Sequence, residues 1–238
     1  MSDPVLDVKQ LVAGYGRQPV LHDLTMRVEP GEVLGLIGPN GHGKTTLFRA
    51  ITGLIPIWRG SVNFLGENIT RLPTPAIADR GLVHVPQGNR LFPEMSVLEN
   101  LHLGAYGRRA RAHWRRTLEQ VFMLFPRLAE RKAQPCRTLS GGERQMVAIG
   151  CGLMGKPKLL ILDEPTLGLS PRLKGELCDA IAEIIASGVQ LIIVEQDPEF
   201  LRRLTTRQVF VESGTTRDDF VSGSLEHAKI MEMYFGVD

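Results

Sequence analysis

The chain has 238 residues, 43% of them hydrophobic, enough to bury one sizeable core with room for an inserted subdomain but not for two full domains. Its 28 Lys and Arg stand against 26 Asp and Glu, a near balance that excludes an electrostatic grip on a nucleic-acid backbone as the main activity. The three cysteines, Cys136, Cys151 and Cys178, lie in separate segments without Cys-x-x-Cys spacing, so reduced thiols in a cytosolic compartment are expected rather than a disulfide or zinc framework.

In chain order, the acidic start Met1-Ser2-Asp3-Pro4 runs straight into a strand pattern, and no signal peptide is expected. From Val5 to about Val28 the apolar residues alternate or cluster between Gly14, Gly16 and Pro19, which predicts small antiparallel strands. Glu29-Pro30-Gly31-Glu32 predicts a turn. Val33 to Ile37 then predicts a buried strand, followed by a glycine-rich loop and a helix carrying Leu47, Ile51 and Leu54 on one face, with Gly53 at its end. Between about Gly88 and Lys156 the pattern turns helical, and Trp114, Leu118, Val121, Phe122 and Phe125 are spaced as one apolar stripe. After it, Leu159 to Leu162, a helix from Pro171 and a strand at Leu191 to Val194 restore the alternation of a parallel α/β sheet. The apolar runs fall far short of the ~20 residues that span a bilayer. Any membrane role is therefore expected to pass through a partner.

Two segments carry phosphate chemistry. Gly38-Pro39-Asn40-Gly41-His42-Gly43-Lys44-Thr45 fits G-x-x-x-x-G-K-[ST] directly after a buried strand and directly before a helix. Glycines there let successive N–H groups turn inward on phosphates, the helix N-terminus adds its positive end, Lys44 reaches the β- and γ-phosphates, and the Thr45 hydroxyl suits Mg²⁺. Leu159-Leu160-Ile161-Leu162-Asp163-Glu164 is an apolar strand ending in two carboxylates, at the sheet edge where ligands bind. Asp163 suits Mg²⁺, and Glu164, pointing elsewhere, suits a general base or water-positioning group.

A third segment, Leu139-Ser140-Gly141-Gly142-Glu143, opens a helical run from Arg144 to Met154 and places serine and glycines at a helix N-terminus, a second anion site. Taken by itself it reads first as a plain serine N-cap with flexible glycines. With Arg144 and Gln145 added, the segment resembles the signature motif of the ATP-binding-cassette ATPases, and the resemblance covers essentially the whole chain. It implies an α/β fold of the P-loop NTPase (RecA-like) type, with a parallel sheet core, an N-terminal antiparallel β subdomain and an inserted α-helical signature subdomain. The implied division is one ABC ATPase domain, with residues 1–87 and 156–238 as nucleotide-binding core and 88–155 as helical subdomain.

Carried over by position, the resemblance makes Tyr15 the adenine-stacking aromatic, Gln87 the Q-loop glutamine and Leu167-Gly168-Leu169-Ser170-Pro171 the D-loop region. ATP contacts are then expected from Tyr15, Gly38, Pro39, Asn40, Gly41, His42, Gly43, Lys44, Thr45 and Thr46, and, from a second subunit, Ser140, Gly141, Gly142 and Glu143. Magnesium falls to Thr45, Gln87 and Asp163, and catalysis to Glu164, Gln196 and Gln87. The implied partners are a second ABC ATPase, identical or a sister chain, transmembrane permease subunits, and indirectly a periplasmic or surface solute-binding protein, with no nucleic acid. The implied location is peripheral, on the cytoplasmic face of the inner membrane.

Pro86 to Pro93, Asn100 to Tyr106 and Val194-Glu195-Gln196-Asp197 look most like the second ATPase of branched-chain amino acid importers, with urea and short-amide importers similar. The extra C-terminal regulatory domain of some sugar and metal importers is not expected here. The coupling surface is expected at the Q-loop and Arg90 to Tyr106, where Leu91, Phe92 and Met95 read either as groove lining or as subdomain interior. Arg108, Arg109, Arg111, Arg115 and Arg116 read as a solvated face or as a site for anionic lipid.

Three departures stand out. Gln196 replaces the usual switch histidine, and an amide donates a hydrogen bond but carries no proton or charge. His42 stands where a small residue is usual, and its side chain is expected to point outward. Gly150-Cys151-Gly152 interrupts the signature helix, each glycine weakening it by roughly 1 kcal/mol. A soluble repair, assembly or ribosomal cassette is disfavoured by the lack of coiled-coil insertions and tandem cassettes. A small-molecule kinase or GTPase has no use for Leu139 to Gln145, and a non-catalytic sensor no use for both Asp163 and Glu164.

Overall fold

The N-terminal alternation forms two long strands, β1 (Leu6–Tyr15) and β2 (Gln18–Val28), paired antiparallel with Leu6 opposite Val28 and Tyr15 opposite Gln18. They belong to a computed structural model that describes residues 3–222 and divides into two compact units: the chain up to Thr74 with its return from Gln190, and Pro75–Val189. In the first unit, β3 (Val33–Ile37) is buried at every position, as its unbroken apolar run requires of a strand covered on both faces. Helix α1 (Lys44–Ile51) starts on the phosphate loop and packs against β1 and β2. Strands β4 (Ile57–Phe64) and β5 (Glu67–Asn68) complete an antiparallel sheet of order β2-β1-β4-β5, whose inner face buries Leu6, Val8, Leu11 and Phe64.

In the second unit, α2 (Thr74–Arg80) leads to β6 (Leu82–Val85), which pairs in parallel with β7 (Leu159–Asp163), Val85 opposite Leu162. Between them run α3 (Val97–Gly104), α4 (Arg108–Arg111), α5 (Trp114–Leu124), α6 (Pro126–Glu130) and α7 (Gly141–Met154), and α8 (Pro171–Ala186) follows β7. Compactness thus groups β6, β7 and α8 with the helices of 88–155. The apolar stripe of α5 buries Val121 and Phe125 and leaves Trp114, Leu118 and Phe122 half-buried.

Helices α3 and α7 touch through glycine. A Cβ on Gly104 would lie 2.2 Å from the Cys151 carbonyl oxygen, one on Gly150 would lie 2.8 Å from Leu101 Cδ2, and one on Gly152 would lie 2.5 Å from Val85 Cγ2. The helix propensity given up at Gly150 and Gly152 thus accompanies tight packing of α7 on α3 and β6, in which Gly104 meets backbone while Gly150 and Gly152 meet side-chain ends. All three cysteines are free, and burial, with Cys136 adding to it, pushes the Cys151 thiol up to about 12, leaving little thiolate.

The chain re-enters the first unit with β8 (Gln190–Val194), α9 (Pro198–Leu204), β9 (Arg207–Glu212) and β10 (Thr215–Val221). β3 lies parallel between β8 and β9, and β10 returns antiparallel, giving the order β10-β9-β3-β8. Arg207 on β9 ties this sheet to its surroundings: its guanidinium reaches Asp219 on β10, Glu32 in the turn before β3 and the Arg27 carbonyl on β2, each at 2.5 Å.

Two expectations need correction. The helix after the phosphate loop ends at Ile51, so Leu54 lies beyond it and is 59% exposed, because Gly53 turns left-handed (φ 72°) two residues after the last helical position. The helix expected from Arg144 begins at Gly141, three residues earlier, because Ser140 caps it. The last residues of the expected core, 223–238, lie outside the described residues.

Candidate functional site

The first unit supplies the phosphate loop. It leaves β3 at Gly38 and needs left-handed or extended-positive backbone at Gly38 (φ 145°), Gly41 (φ 81°) and Gly43 (φ 103°), where a side chain would be strained. At Gly38 a Cβ would also lie 2.1 Å from the Val211 carbonyl oxygen. Lys44 is buried, and its ammonium donates to the Gly38 and Pro39 carbonyls at 2.5 and 2.9 Å. Thr45 is half-buried and Thr46 buried in the first turn of α1.

Three further contacts hold the loop region. Gln196, after β8, donates its amide to the Asn40 side-chain oxygen at 2.9 Å. The His42 imidazole, half-buried rather than free in solvent, accepts the Ser213 N–H on Nδ1 at 3.1 Å, and the His42 carbonyl accepts the Gly214 N–H at 3.0 Å. The loop is thus fastened to the β9–β10 turn through both the side chain and the backbone of one residue. Tyr15, at the end of β1, is 43% exposed, and its hydroxyl accepts from Arg49 at 3.0 Å.

The second unit supplies the carboxylates. Asp163 closes the fully buried strand β7 with only 3% exposure, and His84 Nε2 on neighbouring β6 lies 3.7 Å from Asp163 Oδ2. Glu164 follows at φ 49°, a conformation uncommon outside glycine, which turns its side chain away from the strand direction. Gln87, two residues after β6, donates to Glu164 Oε2 at 2.6 Å.

The same unit carries the serine-glycine helix start. Ser140 Oγ accepts the Glu143 N–H at 3.3 Å while Glu143 returns a carboxylate oxygen to the Ser140 N–H at 2.8 Å, a complete capping box. Burial works most strongly against the charge on Glu143, but the Ser140 bonds together with Arg131 and Arg127 prevail and hold its carboxyl below the usual range. A Cβ on Gly142 would press on the movable end of Leu173, 2.7 Å from its Cδ1, whereas Gly141 faces open space. The serine cap and the anion-site reading are therefore compatible: the Ser140 hydroxyl serves the helix, and the Gly141 side of the turn is open.

The sequence model of the family described as "ABC transporter" matches residues 21–167, more than half of the chain. The chain belongs to the ABC transporter family. It is an ATPase of that family, and the cassette likeness runs nearly end to end. It is 38% identical over 223 residues to the high-affinity branched-chain amino acid transport ATP-binding protein BraG of Pseudomonas aeruginosa, covering 93% of this chain and 95% of that protein. It is 30% identical over 235 residues to the probable branched-chain amino acid transport ATP-binding protein LivF of Archaeoglobus fulgidus, covering 98% and 99%. Among solved structures, a nucleotide-free ATP-binding cassette from an ABC transporter superposes with a TM-score of 0.86 at 25% identity, over 99% of this chain and 100% of that one. An ADP-bound cassette of an ABC transporter superposes with a TM-score of 0.83 at 26% identity, over 99% and 100%. ATP is therefore the nucleotide of this cassette, and its α/β fold with a P-loop is that of the family.

Beyond Gln87, the segment that follows β6 has an organising residue, Asn100, to which the sequence alone attached no role. Asn100 is 2% exposed; its amide nitrogen lies within 3.2 Å of the Phe92, Met95 and Ser96 carbonyls and of Cys136 Sγ, and its oxygen accepts the Phe92 N–H. It shapes the segment from Phe92 to Ser96, leaving Phe92 58% exposed and Met95 half-buried, while Leu91 lines a cavity of about 310 Å³ with Pro86, Arg90 and Cys151. A lone asparagine inside a short helix gives no sequence signal of this kind, since its partners are loop carbonyls and the sulfur of Cys136, 36 residues away.

Proposed function

We propose that this cassette is the ATP-hydrolysing subunit of an importer for branched-chain amino acids, working as half of a nucleotide-sandwich dimer beneath a separate permease. What carries the reading is the likeness to BraG over nearly the whole of both chains. Among the described residues no helix is long and apolar enough to cross a membrane, which agrees with a peripheral subunit that needs permease partners. The functional division would be core at 1–87 and 156–238, with 88–155 as the helical signature subdomain.

In this reading Gly38 to Thr46 cradle the triphosphate, Tyr15 stacks on the adenine, and Lys44 exchanges its loop carbonyls for β/γ-phosphate oxygens. Glu164 takes a proton from the attacking water or orients it, Gln87 positions the Glu164 carboxylate, and Gln196 links Asn40 in the loop to the γ-phosphate side. Ser140, Gly141, Gly142 and Glu143 present the α7 N-terminus to ATP held by the second subunit, so the γ-phosphate acts as a removable cross-link between two chains. Among the described residues no cluster of three or more His, Cys, Asp or Glu side chains could hold a metal. The hydroxyl, amide and carboxylate oxygens of Thr45, Gln87 and Asp163 are nonetheless the hard donors that magnesium takes beside phosphate oxygens. When bound, Mg²⁺ would neutralise charge developing on the phosphates.

Leu91 and the exposed Phe92 support a permease-docking groove over a subdomain interior. Phe92→Asp should leave hydrolysis by the isolated subunit unchanged and abolish permease capture. The test of the whole reading is uptake of labelled leucine, isoleucine and valine by cells lacking this chain, with urea and a short amide alongside. Loss of the branched-chain substrates is the expected result. Loss of urea or amide uptake alone would move the protein to that transporter class, and unchanged uptake of all would leave a non-transport cassette.

A further inference from the structure

Five arginines, Arg108, Arg109, Arg111, Arg115 and Arg116, stand close together, and no acidic residue lies between Tyr106 and Arg116. Arg109 is turned inward, donating to the Arg80 carbonyl at 3.2 Å. The other four are exposed, and among the described residues none of their guanidinium groups is ion-paired with a carboxylate, although the Arg108 backbone N–H donates to Asp79 Oδ1 at 3.1 Å and Glu119 sits one turn beyond Arg115. Two of them lie instead on aromatic rings: the guanidinium carbons of Arg111 and Arg115 are each 5.4 Å from the ring centroids of Tyr106 and Trp114. Trp114 meets His102 edge-on at 4.4 Å, and Tyr106 is 78% exposed. His102, Ala105, Tyr106, Arg111 and Trp114 line an open depression of about 230 Å³.

A merely solvated basic face spreads its cations into water or pairs them with carboxylates one turn away. Here like charges are gathered on α4 and α5 beside two rings that suit a water–lipid boundary, and guanidinium is the group that grips phosphate through paired N–H donors. We propose that this patch is a docking site for anionic phospholipid headgroups, with one headgroup phosphate seated in the depression against Arg111 and the Tyr106 and Trp114 rings at headgroup level. The depression, at about 230 Å³, has room for a headgroup phosphate and opens to solvent, and the cations around it spread over α4 and α5. That arrangement matches a planar array of phosphates better than the continuous groove an acidic peptide would need. The inference goes beyond the transport reading and does not depend on the nucleotide site.

The test is sedimentation of the purified full chain with phosphatidylcholine vesicles and with vesicles containing phosphatidylglycerol. The expected result is binding to the anionic vesicles only, weakened roughly fivefold for each arginine removed. The Arg111→Gln/Arg115→Gln double variant should therefore lose most of the binding while hydrolysing ATP at the normal rate. Arg71→Gln/Lys132→Gln removes the same charge elsewhere on the exposed surface and should bind nearly as the parent. Equal loss in both double variants, equal binding to the two vesicle types, or full release by glycerol phosphate at matched phosphate concentration would overturn the proposal, the last in favour of a soluble phosphate ligand.

Discussion

Gln87 donates its side-chain amide to Glu164 across 2.6 Å, joining two residues 77 positions apart at the ends of adjacent parallel strands. A donor at this distance fixes the orientation of the carboxylate, which a base needs before it meets water. Glu164→Gln should keep ATP binding and lose about 10²- to 10⁴-fold in turnover. A variant hydrolysing within tenfold of the parent would remove Glu164 from the role. Gln87→Glu sets a second carboxyl beside the first, so one of the pair holds its proton to higher pH. Its pH–rate profile should rise later than the parent's; an unshifted profile would mean the two side chains do not meet in the working enzyme.

His42 should affect ATP affinity more than turnover, since it fastens the phosphate loop through an acceptor nitrogen 171 residues from its partner Ser213. The side-chain oxygen of asparagine falls close to the position of imidazole Nδ1, so His42→Asn should preserve the contact, whereas His42→Leu fills the space without an acceptor. We expect KM for ATP to rise severalfold in the leucine variant, with kcat little changed, and to stay near the parent value in the asparagine variant. Equal KM values in the two variants would show that the bond to Ser213 does not steady the loop.

The glycines at the α3–α7 contact should differ sharply. Gly104→Ala drives a methyl into the Cys151 carbonyl, which is backbone and cannot step aside, and should cost about 1–3 kcal/mol or more in chemical denaturation. Gly150→Ala meets the mobile ends of Leu101 and Val121, and a helix-propensity gain of roughly 1 kcal/mol offsets the crowding, so its stability should lie close to the parent's. Equal destabilisation by the two would contradict this account of the contact.

Stability should fall in acid partly through Glu143. Its folded-state carboxyl is held below the unfolded value, so the cap contributes fully above the ordinary carboxylate range and is lost as pH falls through the depressed folded value. Denaturation midpoints of Glu143→Gln, measured across that range, should show a shallower acid decline than the parent. Ser140→Ala should cost about 1 kcal/mol at neutral pH by removing the other half of the box.

Short-range pattern was enough for much of this molecule. The apolar run of Val33 to Ile37, the glycine-rich loop and Lys44-Thr45 depend on neighbours within a few residues, and so do the Leu159 to Asp163 strand and the Ser140 cap. Sterics and hydrogen bonding between adjacent residues decide such features whatever the rest of the chain does. The strands β4 and β5 were less legible, because Arg59 and Gly60 break the alternation of the first and the second is two residues long. Only the tertiary structure could show that Gln87 holds Glu164, that Gln196 reaches Asn40 across 156 positions, and that His42 grips the β9–β10 turn. It alone also explains Gly150-Cys151-Gly152, which reads as a weakened helix in one dimension and as a close helix contact in three. Each of these depends on which distant backbone arrives within a few ångströms, a matter settled by packing of the whole unit and written in no local spacing.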